Sequence, residues 1–311
     1  MDLRDIAEEY LEGIRLKKTH GTYTGYVQRL LVFVSYMEMR GIPLERIRPR
    51  TVDEFVEWLG QTHSSHTKGQ PLSSYTKVGY VRVVKSFLNW CMREGEEMGI
   101  TVNPLSVKYI ELPSHVSKVI EIFTEEQIEA MKLAAAQNYN DHLRQRDRCI
   151  VQLLSTTGIR ASELCNLTIE TVHLPAHESS IKVLGKRNKE RIVPMPMATR
   201  RMMGMYFRGF RRRAEPGDPF FVNRAGKESL TVYGLEQIIH RLAKYAGITG
   251  VRASPHVFRH TFAHAFMVKD GRVVYLSRLL GHESIETTEQ YLRAFTSMDV
   301  VAALRKMGEW I

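Results

Sequence analysis

Cysteine is scarce in this 311-residue chain. Cys91, Cys149 and Cys165 lie far apart and form no Cys-x-x-Cys pair. That excludes a disulfide framework and a cysteine-rich zinc module, and makes a reducing cytoplasm the expected setting. No apolar run approaches the ~18 residues that a membrane-spanning helix needs, so no membrane role is expected. The opening Met1-Asp2-Leu3-Arg4-Asp5 is acidic and does not read as a secretory signal, which needs a basic start and an apolar stretch. Internal repeats, low-complexity tracts and a G-x-x-x-x-G-K-[S/T] phosphate loop are all missing, which argues against repeat architectures and against ATP-driven chemistry of the P-loop kind.

What is present is ordinary in kind and uneven in placement. Hydrophobic residues make up 43% and charged residues 25%, the composition of a folded globular protein. The length suggests two domains, each of roughly 100–200 residues. The formal net charge is +10; residues 1–112 carry 15 basic and 14 acidic side chains, whereas residues 113–311 carry 29 and 20. The excess therefore sits in the second part. A polyanion is a natural partner for it, although solubility accounts for such a charge equally well.

Apolar periodicity predicts helices through the first ~110 residues. Ile6, Tyr10, Leu11 and Ile14 form one stripe, and Tyr26, Leu30, Phe33, Val34 and Met37 a second. Val52–Leu59 reads as a short third helix and Ser74–Glu97 as a fourth, ended by Asn103-Pro104. A linker follows, and Thr124-Glu125-Glu126-Gln127 has capping-box spacing for a new helix. Arg146–Thr156 reads as helix, stopped near Gly158. The period then changes: Ile181–Leu184 and Arg191–Pro194 read as strands around a turn at 185–190, with another possible hairpin near Asn223–Gly226. The expected fold is mainly α with a small antiparallel β-sheet.

Four local patterns could carry chemistry. Arg160 follows the Gly158 break where a helix begins, and equally suits a surface pair with Glu163 three residues on. Lys186 lies on the hairpin turn among Arg187, Lys189 and Arg191, where charge also serves solvation. Ser254-Pro255 suits a helix start, placing His256 and Arg259 one turn apart near an N-terminus that favours anions. His256, His260 and His264 also have ligand-like spacing, but Val257 stands where a zinc-protease helix carries glutamate. Finally, Leu279-Leu280-Gly281-His282 is followed nine residues after His282 by Tyr291; a lone tyrosine on a helical pattern serves equally as core or interface.

In this order, and over about residues 124–292, these segments resemble the tyrosine recombinases of the phage-integrase type, whether Xer-like or from a mobile element. Tyr23–Val27 and Ser74–Val78 loosely resemble the helix starts of that family's helical domain. The resemblance implies a two-domain C-shaped clamp: residues 1–112 as a SAM-like core-binding domain, 113–122 as linker, and 123–311 as the catalytic domain with a tail at 298–311. It implies Arg160 and Arg259 as the catalytic arginines, His256 and His282 as the catalytic histidines, Lys186 as the acid and Tyr291 as the nucleophile. Lys189 is a second candidate for the acid. Arg293 stands where relatives often have His, and Ser277 where many have Gln; neither is one of the six.

The implied reaction cuts and rejoins duplex DNA through a 3′-phosphotyrosine, with neither metal nor other cofactor, during integration, excision, transposition or dimer resolution. The implied substrate is double-stranded DNA with an inverted-repeat core site, bound by a homo-tetramer on two duplexes, held together by exchange of C-terminal tails. Localisation would be cytoplasmic, nucleoid-associated when on DNA. Lys77, Arg82, Lys85, Arg187, Lys189, Arg211, Arg212 and Arg213 are candidate phosphate contacts. Two alternatives stay open: DNA relaxation of the type IB topoisomerase kind, and a non-catalytic DNA-binding protein on the same fold.

Overall fold

The computed structural model describes residues 2–63, 71–114, 120–175, 178–185, 189–269, 272–282 and 288. The chain divides into two compact units, Met1–Lys118 and Val119–Ile311. Among the described residues, no helix is long and apolar enough to cross a membrane.

The first unit is helical. Helix α1 (Leu3–Lys17) starts in a reciprocal cap: Asp5 N–H donates to the Asp2 carboxylate at 2.8 Å and Asp2 N–H to the Asp5 carboxylate at 3.0 Å. Helix α2 (His20–Arg40) stops at Gly41, whose φ of 62° is costly for any residue with a Cβ. Helices α3 (Pro49–His63) and α4 (Ser74–Glu94) follow. Their inward faces enclose Phe33, Phe55, Val84, Phe87 and Leu88, none of them accessible to solvent. Phe33 and Phe55 meet edge to face at 5.0 Å.

Two expectations need correcting here. The third helix runs well beyond Val52–Leu59, from Pro49 to His63. Asn103-Pro104 does not end a helix but opens a short one, α5 (Pro104–Lys108), in which the Asn103 side chain accepts from Leu105 N–H at 2.9 Å. Proline lacks the N–H that a helix interior requires, yet at the first helical position that N–H has no partner in any case. Val107 and Ile110 then bury against the first unit's core.

The second unit begins with α6 (Glu125–Ala136), with the expected capping box between Thr124 and Gln127. Helix α7 starts five residues earlier than Arg146, at Asp141 under an Asn140 cap, and ends at Thr157. Helix α8 (Ala161–Cys165) leads to a three-stranded antiparallel sheet, β1 (Val172–His173), β2 (Ser180–Leu184) and β3 (Glu190–Pro194), in that spatial order. Ile181 pairs with Val193 and both face the core, while Ile192 and Leu184 face outward. The expected second hairpin is short: an antiparallel bridge joins Val222 to Ser229, Asn223 N–H donates to the Glu228 carbonyl at 2.7 Å, and Leu230 N–H to that of Phe221 at 3.1 Å.

Among the described residues, helices α9 (Met197–Tyr206), α10 (Val232–Tyr245), α11 (Pro255–Lys269) and α12 (Val273–Leu280) follow. Ile150, Leu154, Ile159, Ile181, Phe221 and Phe258 are fully buried in its main core. A smaller apolar cluster, Ala263, Leu276 and Leu280 with Phe262 and Phe266, packs α12 onto α11. That contact brings the ends of α7 and α12 beside the middle of α11.

Candidate active site

The site grows from the ends of helices. At the end of α7, Gly158 has φ of 60°, and a Cβ there would lie 2.3 Å from the Phe262 ring. Only glycine fits, in conformation and in space. The reversal exposes the Gly158 carbonyl and sets Arg160 at the start of α8. At the end of α12, Gly281 has φ of 63° and turns the chain into His282.

The last carbonyls of a helix have no partner within it and form its negative pole. Two of those of α12, and the Gly281 carbonyl just beyond, are taken by three arginines from three different elements. Arg191 Nε donates to the Leu279 carbonyl at 2.8 Å, Arg259 Nη2 to that of Leu280 at 2.7 Å, and Arg160 Nη2 to that of Gly281 at 3.1 Å. Arg259, only 4% exposed, also donates through Nη1 to the Gly158 carbonyl at 2.8 Å. Arg160 and Arg259, 99 positions apart in sequence, are thus held on neighbouring carbonyls.

One carboxylate balances this charge. Glu163 Oε1 accepts from Arg160 Nη1 and from Arg191 Nη1, each at 2.7 Å, and Oε2 accepts from Arg191 Nη2 and the Arg160 backbone N–H, each at 2.8 Å. Burial by itself raises the Glu163 pKa, but the Arg191 and Arg160 hydrogen bonds outweigh it and hold the group at about 2. Three guanidiniums against one carboxylate leave a positive, partly buried cradle suited to a phosphodiester.

His282 Nε2 lies 2.9 Å from Arg259 Nη2, and Nδ1 lies 2.7 Å from Thr288 Oγ1. A guanidinium has no lone pair to offer, so Nε2 accepts, Nδ1 carries the proton, and the ring is neutral. Burial, then Arg259, Arg160 and Arg191, push its pKa down to about 4. His256 lies on α11 one turn before Arg259, its ring 4.2 Å from that of His260. Surrounding protein and then Arg259 lower the His256 pKa; burial, His256 and Arg259 take His260 down to about 4. Among the described residues no group of three or more His, Cys, Asp and Glu could hold a metal ion.

These shifts have a defined sign. A histidine with a depressed folded pKa contributes stability that is whole above 6.5 and is withdrawn as pH falls toward 4, because only the unfolded ring takes up a proton there. Glu163 contributes stability above its ordinary 4.5 that is lost as pH falls toward 2. The urea midpoint of the protein should therefore fall continuously from pH 7 to 4, and the His282→Asn variant should fall less steeply in that window. A midpoint that is level between pH 7 and 4.5 would contradict the neutral-histidine assignment.

Of the residues singled out from sequence, Arg160, Arg259 and His282 come together, with His256 next to them on α11. Lys186, Arg187, Tyr291 and the tail at 298–311 lie outside the described residues. Lys189 is exposed, and its carbonyl accepts from Gly185 N–H at 2.8 Å. Among the candidate phosphate contacts, Arg82, Arg212 and Arg213 are exposed and Lys77 is half-buried. Two others are engaged within their own units: Lys85 Nζ donates to the Ile110 carbonyl at 2.7 Å, and Arg211 Nη2 to that of Pro219 at 2.8 Å. Sequence reasoning gave Glu163 and Arg191 no catalytic part. The only local signal was the three-residue spacing of Arg160 and Glu163; the separation of 28 positions between Glu163 and Arg191 carries none.

Residues 121–298 match the phage integrase family and residues 2–98 the phage integrase SAM-like domain. The chain is 27% identical over 295 residues to tyrosine recombinase XerD of Listeria monocytogenes, covering 93% of this chain and 94% of that protein. It is 28% identical to tyrosine recombinase XerC of Thermodesulfovibrio yellowstonii, covering 91% and 89%. Its fold is similar to the crystal structure of the XerH site-specific recombinase in a post-cleavage complex with palindromic difH substrate, with a TM-score of 0.76, 21% identity, and coverage of 96% of this chain and 84% of that one. The chain belongs to the phage integrase family, the tyrosine recombinases, and its activity is site-specific recombination of DNA.

Proposed function

We propose that Arg160, Arg259, His256 and His282 form the cradle for the scissile phosphate, that Tyr291 is the nucleophile, and that Lys186 is the acid. The observation that carries this is the placement of two guanidiniums on the adjacent carbonyls of Leu280 and Gly281. From there both can offer N–H groups to the non-bridging oxygens of one phosphate, where negative charge builds as a fifth oxygen approaches phosphorus.

The phenol of tyrosine ionises near pH 10 and must lose its proton as it attacks. The Tyr291 oxygen bonds to phosphorus, the bond from phosphorus to the 5′-oxygen breaks, and a 3′-phosphotyrosine and a free 5′-hydroxyl result. His256, neutral beside Arg259, takes the phenolic proton; Lys186 supplies the one that the 5′-oxygen needs. His282 needs a different account from simple donation, since its Nε2 accepts from Arg259. The charge of an arriving phosphate draws the Arg259 N–H away and raises the ring's pKa; Nε2 then takes a proton from solvent and donates it toward the phosphate. One phosphodiester replaces another, so rejoining is the same step reversed by the 5′-hydroxyl.

Residues 1–112 serve as the core-binding domain, 113–122 as linker and 123–311 as catalytic domain. The phosphate contacts assigned to this protein are Lys77, Arg82, Lys189, Arg212 and Arg213, of which Arg82, Lys189, Arg212 and Arg213 are exposed, together with Arg187. A palindromic duplex such as the XerH substrate fits two protomers related by a two-fold axis, and two such duplexes give a tetramer, joined by tails at 298–311. The matched relatives are recombinases, which favours this reading over DNA relaxation or binding alone.

The test is to incubate the protein with randomised nicked duplexes from which the 5′ product can diffuse away, isolate protein linked to DNA, and map the linked peptide. The expected linkage is on Tyr291. A linkage on another residue, or no covalent complex on any duplex, overturns the assignment.

A further inference from the structure

Arg191 lies on β3, outside the six residues given roles above. Each of its three nitrogens already donates within the protein: Nη1 and Nη2 to the two oxygens of Glu163 at 2.7 and 2.8 Å, and Nε to the Leu279 carbonyl at 2.8 Å. The Glu163 side chain is 2% exposed and that of Arg191 is 13%. The oxygen that Arg191 Nη1 holds is also the one that holds Arg160 Nη1. The carbonyl that Arg191 holds directly precedes the one that holds Arg259. Its guanidinium also lies against Gly281, where a Cβ would sit 2.9 Å from Nη1 and 3.0 Å from Cζ. The turn into His282 is therefore tight against Arg191 and has room only for glycine.

We infer that Arg191 is a positioning residue for DNA cleavage. By gripping Glu163 and the Leu279 carbonyl at once, it fixes where Arg160 and the Gly281–His282 turn present themselves to the phosphate. Three of its five N–H groups are committed to these partners, and it acts through them. A bidentate arginine–carboxylate pair sets direction as well as distance, and a lysine has neither the fork nor the third nitrogen needed for the Leu279 carbonyl. The inference rests on the reading of Arg160 and His282 as phosphate-binding groups.

The experiment uses the full chain and the nicked duplex recovered by covalent capture. Single-turnover cleavage, DNA affinity and thermal midpoint are measured for wild type, Arg191→Ala, Arg191→Lys, Glu163→Gln and the Arg191→Ala/Glu163→Gln double variant. Arg191→Ala is expected to cleave roughly 10- to 100-fold more slowly, with affinity within about twofold; Arg191→Lys should fall between it and wild type. The double variant should be no slower than the slower single one, because both act through one contact. A duplex with sulfur at the bridging 5′-position, a leaving group needing no proton, should leave the Arg191→Ala defect unchanged.

A cleavage rate within twofold of wild type overturns the inference. So does a double variant whose defects multiply, a defect that sulfur erases, or a lowered midpoint with a normal rate for the folded fraction. Should alanine fail to fold, Arg191→Gln, closer in length, carries the same expectations. Tyr291→Phe is run alongside: a covalent complex that persists in it removes the nucleophile assignment, and the Arg191 rates are judged separately.

Discussion

Replacing Glu163 with alanine is expected to destabilise the catalytic unit by about 3 kcal/mol, the lower end of what removing one partner from a buried ion pair costs. Among the described residues, the carboxylate is the acidic group that pairs with both Arg160 and Arg191, and its side chain is 2% exposed. Without it, Arg191, 13% exposed, is left largely desolvated and faces another cation. The lower end applies because the Arg160 side chain, 31% exposed, can turn toward water. Glu163→Gln keeps an acceptor oxygen and its volume and should cost less. Urea unfolding at pH 7 measures both. The pH profile adds a second reading: wild type loses the contribution of Glu163 as pH falls from 4.5 toward 2, and the alanine variant has none to lose there. A cost below about 1 kcal/mol, the range of an exposed pair, would show that the network is dispensable.

The reach of sequence reasoning in this protein follows from the range of the interactions involved. Signals contained within four residues were read well. The Thr124/Gln127 capping box, the Ser254-Pro255 start of α11 and the glycine stop at 158 each act within one helical turn. The β2–β3 hairpin was legible from alternation, with Ile181, Val183 and Val193 inward. Asn103-Pro104 misled because the same dipeptide disfavours a helix before it and favours one after it; burial of Val107 and Ile110 decides the matter, and that is a tertiary fact. The two-residue β1 has too short a pattern to stand out and exists through its pairing with β2.

The site shows the same limit more sharply. The pairing of Arg160 with Glu163 looked like a bland alternative to a functional arginine, yet both descriptions hold: the pair exists, and it orients the guanidinium beside Gly281. What spacing could not convey is that Glu163 serves two arginines, or that Arg191, at the foot of a basic turn, is a buried brace. The histidines were legible as residue types. Their protonation was not, because it depends on Arg259 standing 2.9 Å from His282.

Arg259→Ala should have the larger consequence for chemistry, lowering single-turnover cleavage by roughly a hundredfold to a thousandfold, about what loss of a preorganised donor to a developing negative charge costs. Arg259 is 4% exposed, and its guanidinium joins three places: the Gly158 carbonyl at the end of α7, the Leu280 carbonyl at the end of α12, and His282. Arg259→Lys should fail nearly as badly, since an ammonium on a flexible stem cannot span both carbonyls and still present an N–H to phosphate. Stability should fall by about 2 kcal/mol, because two buried carbonyls lose their donor at a net cost of about 1 kcal/mol each. Part of that loss is returned in acid. Arg259 is the leading charge that depresses the pKa values of His256 and His282, so in the variant both rise toward 6.5 and the fall in stability from pH 7 to 4 becomes shallower. DNA affinity should change little, since it is spread over many phosphate contacts. Cleavage within tenfold of wild type in Arg259→Ala, or an unchanged acid profile, would mean that this arginine holds the helix ends together without reaching the phosphate.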